Sequence, residues 1–143
     1  MISALLDSDV ILDYVLNRQP FHGEAEKVFE ALASIQFIGY VSAIALLNVH
    51  YFAEKEQDSV FALEEVKQLL KILEVAPIEE SSFHTASALG FDDYEDAVQC
   101  ASAIAEGLDA IVTRNVKDFA KSPIPVYSPA EFLKKLKSDL STS

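Results

Sequence analysis

The feature that most constrains this chain is an alternation. Short apolar runs trade places along it with longer segments whose apolar residues recur every three to four positions. Ile2–Leu6 is the first such run, followed by Phe37–Val41, Glu74–Ile78, Ala110–Thr113 and Ile124–Tyr127. Between them lie helical patterns. Val10–Leu16 is one, and Phe21, Ala25, Val28, Phe29 and Leu32 mark a second. Ala43–Glu54 follows Ser42 as N-cap, and Val60, Leu63, Val66, Leu70 and Leu73 form a clear amphipathic stripe. Ser82–Leu89 is stopped by Gly90, and Asp93 caps a helix carrying Ala97, Ala101, Ile104 and Leu108. A helical turn is expected over Asn115–Ala120. Ser128-Pro129-Ala130-Glu131 combines a capping box with proline at the first helical position.

Strands separated by helices are βαβ units, which build a mostly parallel sheet covered on both faces. The expectation is an α/β fold, a three-layer α/β/α domain with a five-stranded parallel sheet and about seven helices. With 143 residues the chain suits one domain, expected over residues 1–137 with a polar tail at 138–143. Half of the residues are hydrophobic, so the chain can offset its ordering entropy and is not intrinsically disordered.

Charge and cysteine content narrow the function. Asp and Glu number 23 against 11 Lys and Arg, a net charge of -12, which argues against a binder that relies on a broad basic surface. The single Cys100 sits in an apolar run and reads as a small buried side chain. His22, His50 and His84 are scattered and offer no zinc pattern. Met1-Ile2-Ser3-Ala4-Leu5-Leu6-Asp7 has no basic start, and no stretch approaches the ~20 apolar residues of a membrane span. A cytoplasmic protein with no membrane partner is the expectation.

In parallel sheets the functional crevice lies beyond the carboxyl ends of the strands. Three clusters fall there. Asp7-Ser8-Asp9 follows the first strand, where one acid serves as a helix cap and the second exceeds that need. Asp13, a turn further on, is expected on a solvated face. Asp92-Asp93-Tyr94-Glu95-Asp96 packs four acids into five positions before an Ala-rich helix. The helix dipole accounts for one or two of them, and mutual repulsion opposes the rest. Asp93 and Asp96 share a face, whereas Glu95 is expected to point elsewhere. After the fourth strand come Thr113, Arg114, Asn115, Lys117 and Asp118, with Asn115 and Asp118 spaced to face one site. Clustered carboxylate oxygens suit a hard cation, Mg²⁺ or Mn²⁺.

From Leu5 to about Glu131 the pattern resembles the PIN-domain endoribonucleases. It has a hydrophobic strand followed by Asp7-x-Asp9, a third acid in Asp96-Ala97, and the element Thr113-Arg114-Asn115-Val116-Lys117-Asp118-Phe119. The resemblance implies Mg²⁺- or Mn²⁺-dependent cleavage of single-stranded RNA by a homodimer. Many small prokaryotic members are VapC-like toxins held in check by a protein antitoxin. It makes Asp7, Asp96 and Asp118 the catalytic candidates. Asp7, Asp96, Asp118, Asp93 and Asn115 would hold the metal, supported by Asp9, Asn48, Ser42 and Thr113.

One departure stands out. Those toxins usually carry a glutamate on the helix after the second strand, where this chain has Asn48, expected to face the site. Asn115 likewise stands where many relatives have Asp. These amides favour the alternative of a degenerate PIN module that binds RNA or a protein partner without cleavage. On the substrate side, Arg114 and Lys117 are the candidates to hold the RNA backbone. The helices Ala43–Phe52 and Val60–Leu73 are apolar enough to line a dimer or antitoxin interface, or to bury inside the domain. A haloacid-dehalogenase-like phosphohydrolase also places Asp-x-Asp after its first strand. It needs a threonine soon after that pair, and Val10-Ile11 stands there instead.

Overall fold

The computed structural model describes residues 1–142, with side chains through residue 140. Strand β1 (Ser3–Leu6) leads into α1 (Ser8–Val15) and α2 (His22–Ala33). Then come β2 (Ile38–Ser42), α3 (Ala43–Glu56), α4 (Ser59–Ile72) and β3 (Glu74–Ala76). Helices α5 (Glu80–Leu89) and α6 (Tyr94–Ala105) precede β4 (Ala110–Val112). A 3₁₀ turn over Val116–Phe119 leads to β5 (Val126–Tyr127) and α7 (Pro129–Thr142). The five strands form one parallel sheet in the order β3-β2-β1-β4-β5. Helices cover both faces, giving the three-layer α/β/α fold.

The two-residue period of a strand divides the core. Ala4 and Leu6 of β1, with Ala110 and Val112 of β4, face a cluster built by Val10, Ile11, Val28, Phe29, Val49 and Phe132. Leu5 and Ile111 face the opposite side, against Cys100, Ala103 and Phe119. Cys100 is buried and free, as its apolar setting foretold.

The expected caps are present. Ser42 accepts from the Ala45 amide at 3.0 Å and Asp93 from Asp96 at 2.9 Å, and Asp58 adds a further cap on α4 through the Phe61 amide at 2.7 Å. Gly90 ends α5 in the left-handed conformation at φ 76°, which favours glycine. Ser128 and Glu131 close the expected capping box.

Strands β3 and β5 are each two residues shorter than their apolar runs, for one reason. Pro77 follows β3 and Pro125 precedes β5, and proline has no N–H for the ladder. Residues 138–142, expected as a polar tail, continue α7 because Leu136 and Leu140 keep its four-residue period. Residue 143 lies outside the described residues. Among the described residues no helix is long and apolar enough to cross a membrane.

The sheet order places β2 on one side of β1 and β4 on the other, so the order in which strands are added reverses between β1 and β4. The crevice beyond that pair of strand ends is where such sheets carry their sites.

Candidate functional site

Asp7 is the first residue past β1, and its amide donates to the Val112 carbonyl at 2.9 Å, which pins it beside the end of β4. Its backbone is extended, so its side chain turns back as the N-cap of α1. Oδ1 accepts from the Ser8 amide at 2.7 Å and from Gln99 Nε2 at 3.2 Å. Oδ2 accepts from the Thr113 hydroxyl at 2.8 Å. The carboxylate is 6% exposed and receives donors from three separate parts of the chain.

Asp9 stands one step into α1. Its Oδ2 accepts from the Arg114 amide and from Asn115 Nδ2, both at 3.1 Å. Its Oδ1 is buried with no hydrogen-bond partner among the described residues. Burial, and then the charge of Asp7, push the Asp9 carboxyl up to about 7. Asp96, on the first turn of α6, is also pushed up to about 7. Burial leads, followed by the charges of Asp7, Asp93, Asp118 and Glu95. Every charge acting on Asp96 is thus another acid, and the sequence-distant clusters meet electrostatically at this residue.

The remaining expected residues take distinct places. Asp93 caps α6 through the Asp96 amide. Asn115 serves Asp9 through its Nδ2, and its backbone amide donates to Thr113 Oγ1 at 3.0 Å. Lys117 and Asp118 line a cleft of ≈ 300 Å³ together with Asp92, Asp93 and Lys121. Ser42 reaches the site indirectly, through a 3.2 Å hydrogen bond to Gln99 Oε1.

Three residues depart from their expected surroundings. Asp13 is 1% exposed, not solvated: Arg114 Nε and Nη2 hold its two oxygens at 2.6 and 3.2 Å. That pair makes sense of a carboxylate on the buried side of α1, since a buried charge is tolerated only when paired and hydrogen-bonded. The Arg114 guanidinium also lies 3.9 Å over the Phe21 ring, so its charged face is already engaged. Glu95 does not point away from its neighbours. Asn48 on α3 donates to Glu95 Oε1 at 2.5 Å.

Gln99 and Glu95 were missed as site residues. The signal for Gln99 is a lone polar side chain between Val98 and Cys100 on the buried face of α6. Nothing in the sequence pairs Asn48 with a residue 47 positions away.

Among the described residues, no three acidic, histidine or cysteine side chains are grouped closely enough to grip an ion as they stand. The donor chemistry nevertheless fits a hard divalent cation. All ligand atoms on offer are oxygens, one of them the orphaned Asp9 Oδ1, and the accumulated negative charge has no compensating cation on Asp96.

Comparison with known proteins decides the family. The sequence pattern of the PIN domain matches residues 3–117. The chain belongs to the PIN domain family. This PIN domain is 29% identical over 132 residues to Ribonuclease VapC1 of Aquifex aeolicus (strain VF5), covering 89% of this chain and 90% of that protein. Its fold matches a toxin–antitoxin complex from Klebsiella pneumoniae with a TM-score of 0.69 and 26% identity, over 88% of this chain and 97% of that one. DNA-bound VapBC from Salmonella typhimurium matches with the same TM-score at 21% identity, over 90% and 99% of the two chains. The last likeness is one of fold.

Proposed function

We propose that this PIN domain is a ribonuclease that hydrolyses phosphodiester bonds of single-stranded RNA with Mg²⁺ or Mn²⁺, as the toxin partner of an antitoxin protein. The observation that carries this reading is the convergence of Asp7, Asp9 and Asp96 beyond the ends of β1 and β4, with the buried Asp9 Oδ1 left without a partner among the described residues. Similarity to a ribonuclease and to toxin–antitoxin complexes supports the class of substrate and partner.

Asp7, Asp96 and Asp118 are the proposed catalytic acids, with Asp93 and Asp9 at hand for the same cation. When bound, a divalent cation supplies an acidified water as nucleophile and positive charge against the phosphodiester. The chain's own residues prepare for that. Thr113 fixes Asp7, Asn115 and the Arg114 amide fix Asp9, and Lys117 stands at the cleft mouth to meet a phosphate. Arg114, bound to Asp13 and Phe21, serves the site through its backbone amide rather than as a free phosphate clamp.

We place the chain in a subgroup with Asn48 at the second acidic position. The contact from Asn48 to Glu95 brings a carboxylate to that side chain, which speaks against the non-cleaving reading that Asn48 otherwise favours. A single domain, a cytoplasmic location and a homodimer belong to the same proposal. Exposed Leu47, Tyr51, Val60 and Leu63 on α3 and α4 offer apolar surface for a protein partner.

The test is cleavage of single-stranded RNA by the purified chain with Mn²⁺ or Mg²⁺, leaving 5′-phosphate and 3′-hydroxyl ends. EDTA, Asp7→Asn and Asp96→Asn are each expected to abolish it without unfolding the protein. Cleavage that survives all three contradicts the proposal, and RNA binding by an inert wild type favours the non-cleaving module.

A further inference from the structure

Gln99 has no place in the activity as described so far, yet its environment is unusual. It is 2% exposed, inside the run of α6 from Ala97 to Ala103 that is buried all round. A buried primary amide is tolerated there only if its hydrogen bonds are made. Both ends are bonded, and each bond has a direction that the surrounding backbone dictates.

The direction starts at α3. Ser42 Oγ accepts the Ala45 amide at 3.0 Å, as its N-cap role demands. Its one proton is then free to be donated, and Gln99 Oε1 takes it at 3.2 Å. With the carbonyl end assigned, the NH₂ end faces Asp7 Oδ1 at 3.2 Å. Reversing the amide would set two acceptors against each other at Asp7, whose ionised carboxylate has no proton to give. The run from Ala45 through Ser42 and Gln99 to Asp7 therefore has one polarity.

We propose that Gln99 is a positioning residue for the cation site. Through Nε2 it fixes the edge of the Asp7 carboxylate opposite Thr113, and so aims Asp7 from two sides. The claim rests on the metal-dependent reading above for its functional consequence, and on geometry alone for the directed contact. It ties α3, α6 and β1 into one support: Ser42 sets Gln99, and Gln99 sets Asp7. A partner that orients a ligand without touching the ion typically changes metal affinity by about 10–100-fold when removed.

Two variants of the full chain test this. Gln99→Met keeps length and apolar contacts but removes both hydrogen bonds. Its Mn²⁺ affinity, read directly by electron paramagnetic resonance, is expected to weaken by about tenfold or more, while metal-free RNA binding is unchanged. A folded Gln99→Met variant that binds Mn²⁺ within about twofold of wild type would overturn the positioning role.

Gln99→Glu keeps the shape and replaces the donor with an acceptor. Without metal, its melting temperature is expected to lie below wild type at pH 8, with the gap closing toward pH 5.5. A protonated carboxyl at position 99 donates to Asp7 as the amide does, and an ionised one repels it. A gap that stays constant across that range contradicts the directed contact. If wild type takes up no Mn²⁺, the cation reading fails. The pH series, which uses no metal, still decides whether Gln99 donates to Asp7. Should Gln99→Met not fold, Gln99→Leu, which also removes both hydrogen bonds without adding charge, carries the same expectation of about tenfold loss and the same refutation.

Discussion

Asp7 and Asp96 stand in the same crevice and live under opposite rules. Asp7 is almost fully buried, and its oxygens are met by Ser8, Gln99 and Thr113. Asp96 is half-buried, no side-chain or backbone donor among the described residues reaches its carboxylate, and four acids act on it. One carboxylate is built into the scaffold, and the other is held among like charges. The contrast teaches that burial and function are separable here. The helix dipole and a satisfied N-cap explain acids at α1 and α6, but they do not explain an acid held against its own ionisation.

The largest effect that sharpens this contrast is on activity. Asp96→Asn is expected to lower RNA cleavage by about 10³-fold, in the range seen when charge aimed at a transition state is lost. Its metal-free melting temperature should be equal to wild type or higher, because the substitution removes repulsion. Asp7→Asn should cost as much activity but lower the melting temperature, because a scaffold contact is altered. Equal stability effects for the two variants would break the comparison. Calorimetry beside a cleavage assay reads both.

Next in size is Arg114→Met. It leaves the buried Asp13 carboxylate without its partner, a change worth about 3–5 kcal/mol. That corresponds to a fall in melting temperature of about 10 °C for a chain of this size. A loss confined to RNA affinity, with stability intact, would return Arg114 to the substrate side.

Much of this was legible in the sequence. The alternation of strands and helices, the caps at Ser42 and Asp93, and Gly90 as a stop follow from local chemistry, and local chemistry decided them. Asp7, Asp9 and Thr113 were found because the strand-end rule needs only the strands. The misreadings share a different cause. Asp13 looked solvated because its partner Arg114 lies 101 positions away. Glu95 looked turned away because helical spacing describes α6 alone, while Asn48 arrives from α3. Gln99 was passed over because a polar residue in an apolar run has meaning only when Ser42 and Asp7 are seen at its two ends. Pairings between elements are set by packing, which periodicity does not encode.

A smaller effect concerns pH. Asp9 and Asp96 are raised from 3.8 to about 7 in the fold. A carboxyl raised on folding contributes stability below its unfolded value, and that contribution is lost as pH rises through the folded one. Without metal, the melting temperature should therefore decline between about pH 4 and pH 7 and flatten above pH 8. Added Mn²⁺ should restore more at pH 8 than at pH 6. A metal-free melting temperature that rises steadily to pH 8 would contradict the raised carboxyls.

The smallest effect belongs to Lys117, at the mouth of the cleft. Lys117→Ala should weaken RNA binding evenly across sequences and reduce the slope of log affinity against log salt by about one. An unchanged salt slope would remove Lys117 from the substrate path.

The central claim is that the unsatisfied half of the crevice is completed by a cation that displaces protons. The most direct measurement is the proton count on Mn²⁺ binding, by titration calorimetry in buffers of different ionisation enthalpy. At pH 6.5 the wild-type chain should release about one proton or more per ion, falling toward zero at pH 8.5, with the release reduced in Asp96→Asn. Binding without proton release at pH 6.5, or a release that Asp96→Asn leaves unchanged, would contradict it.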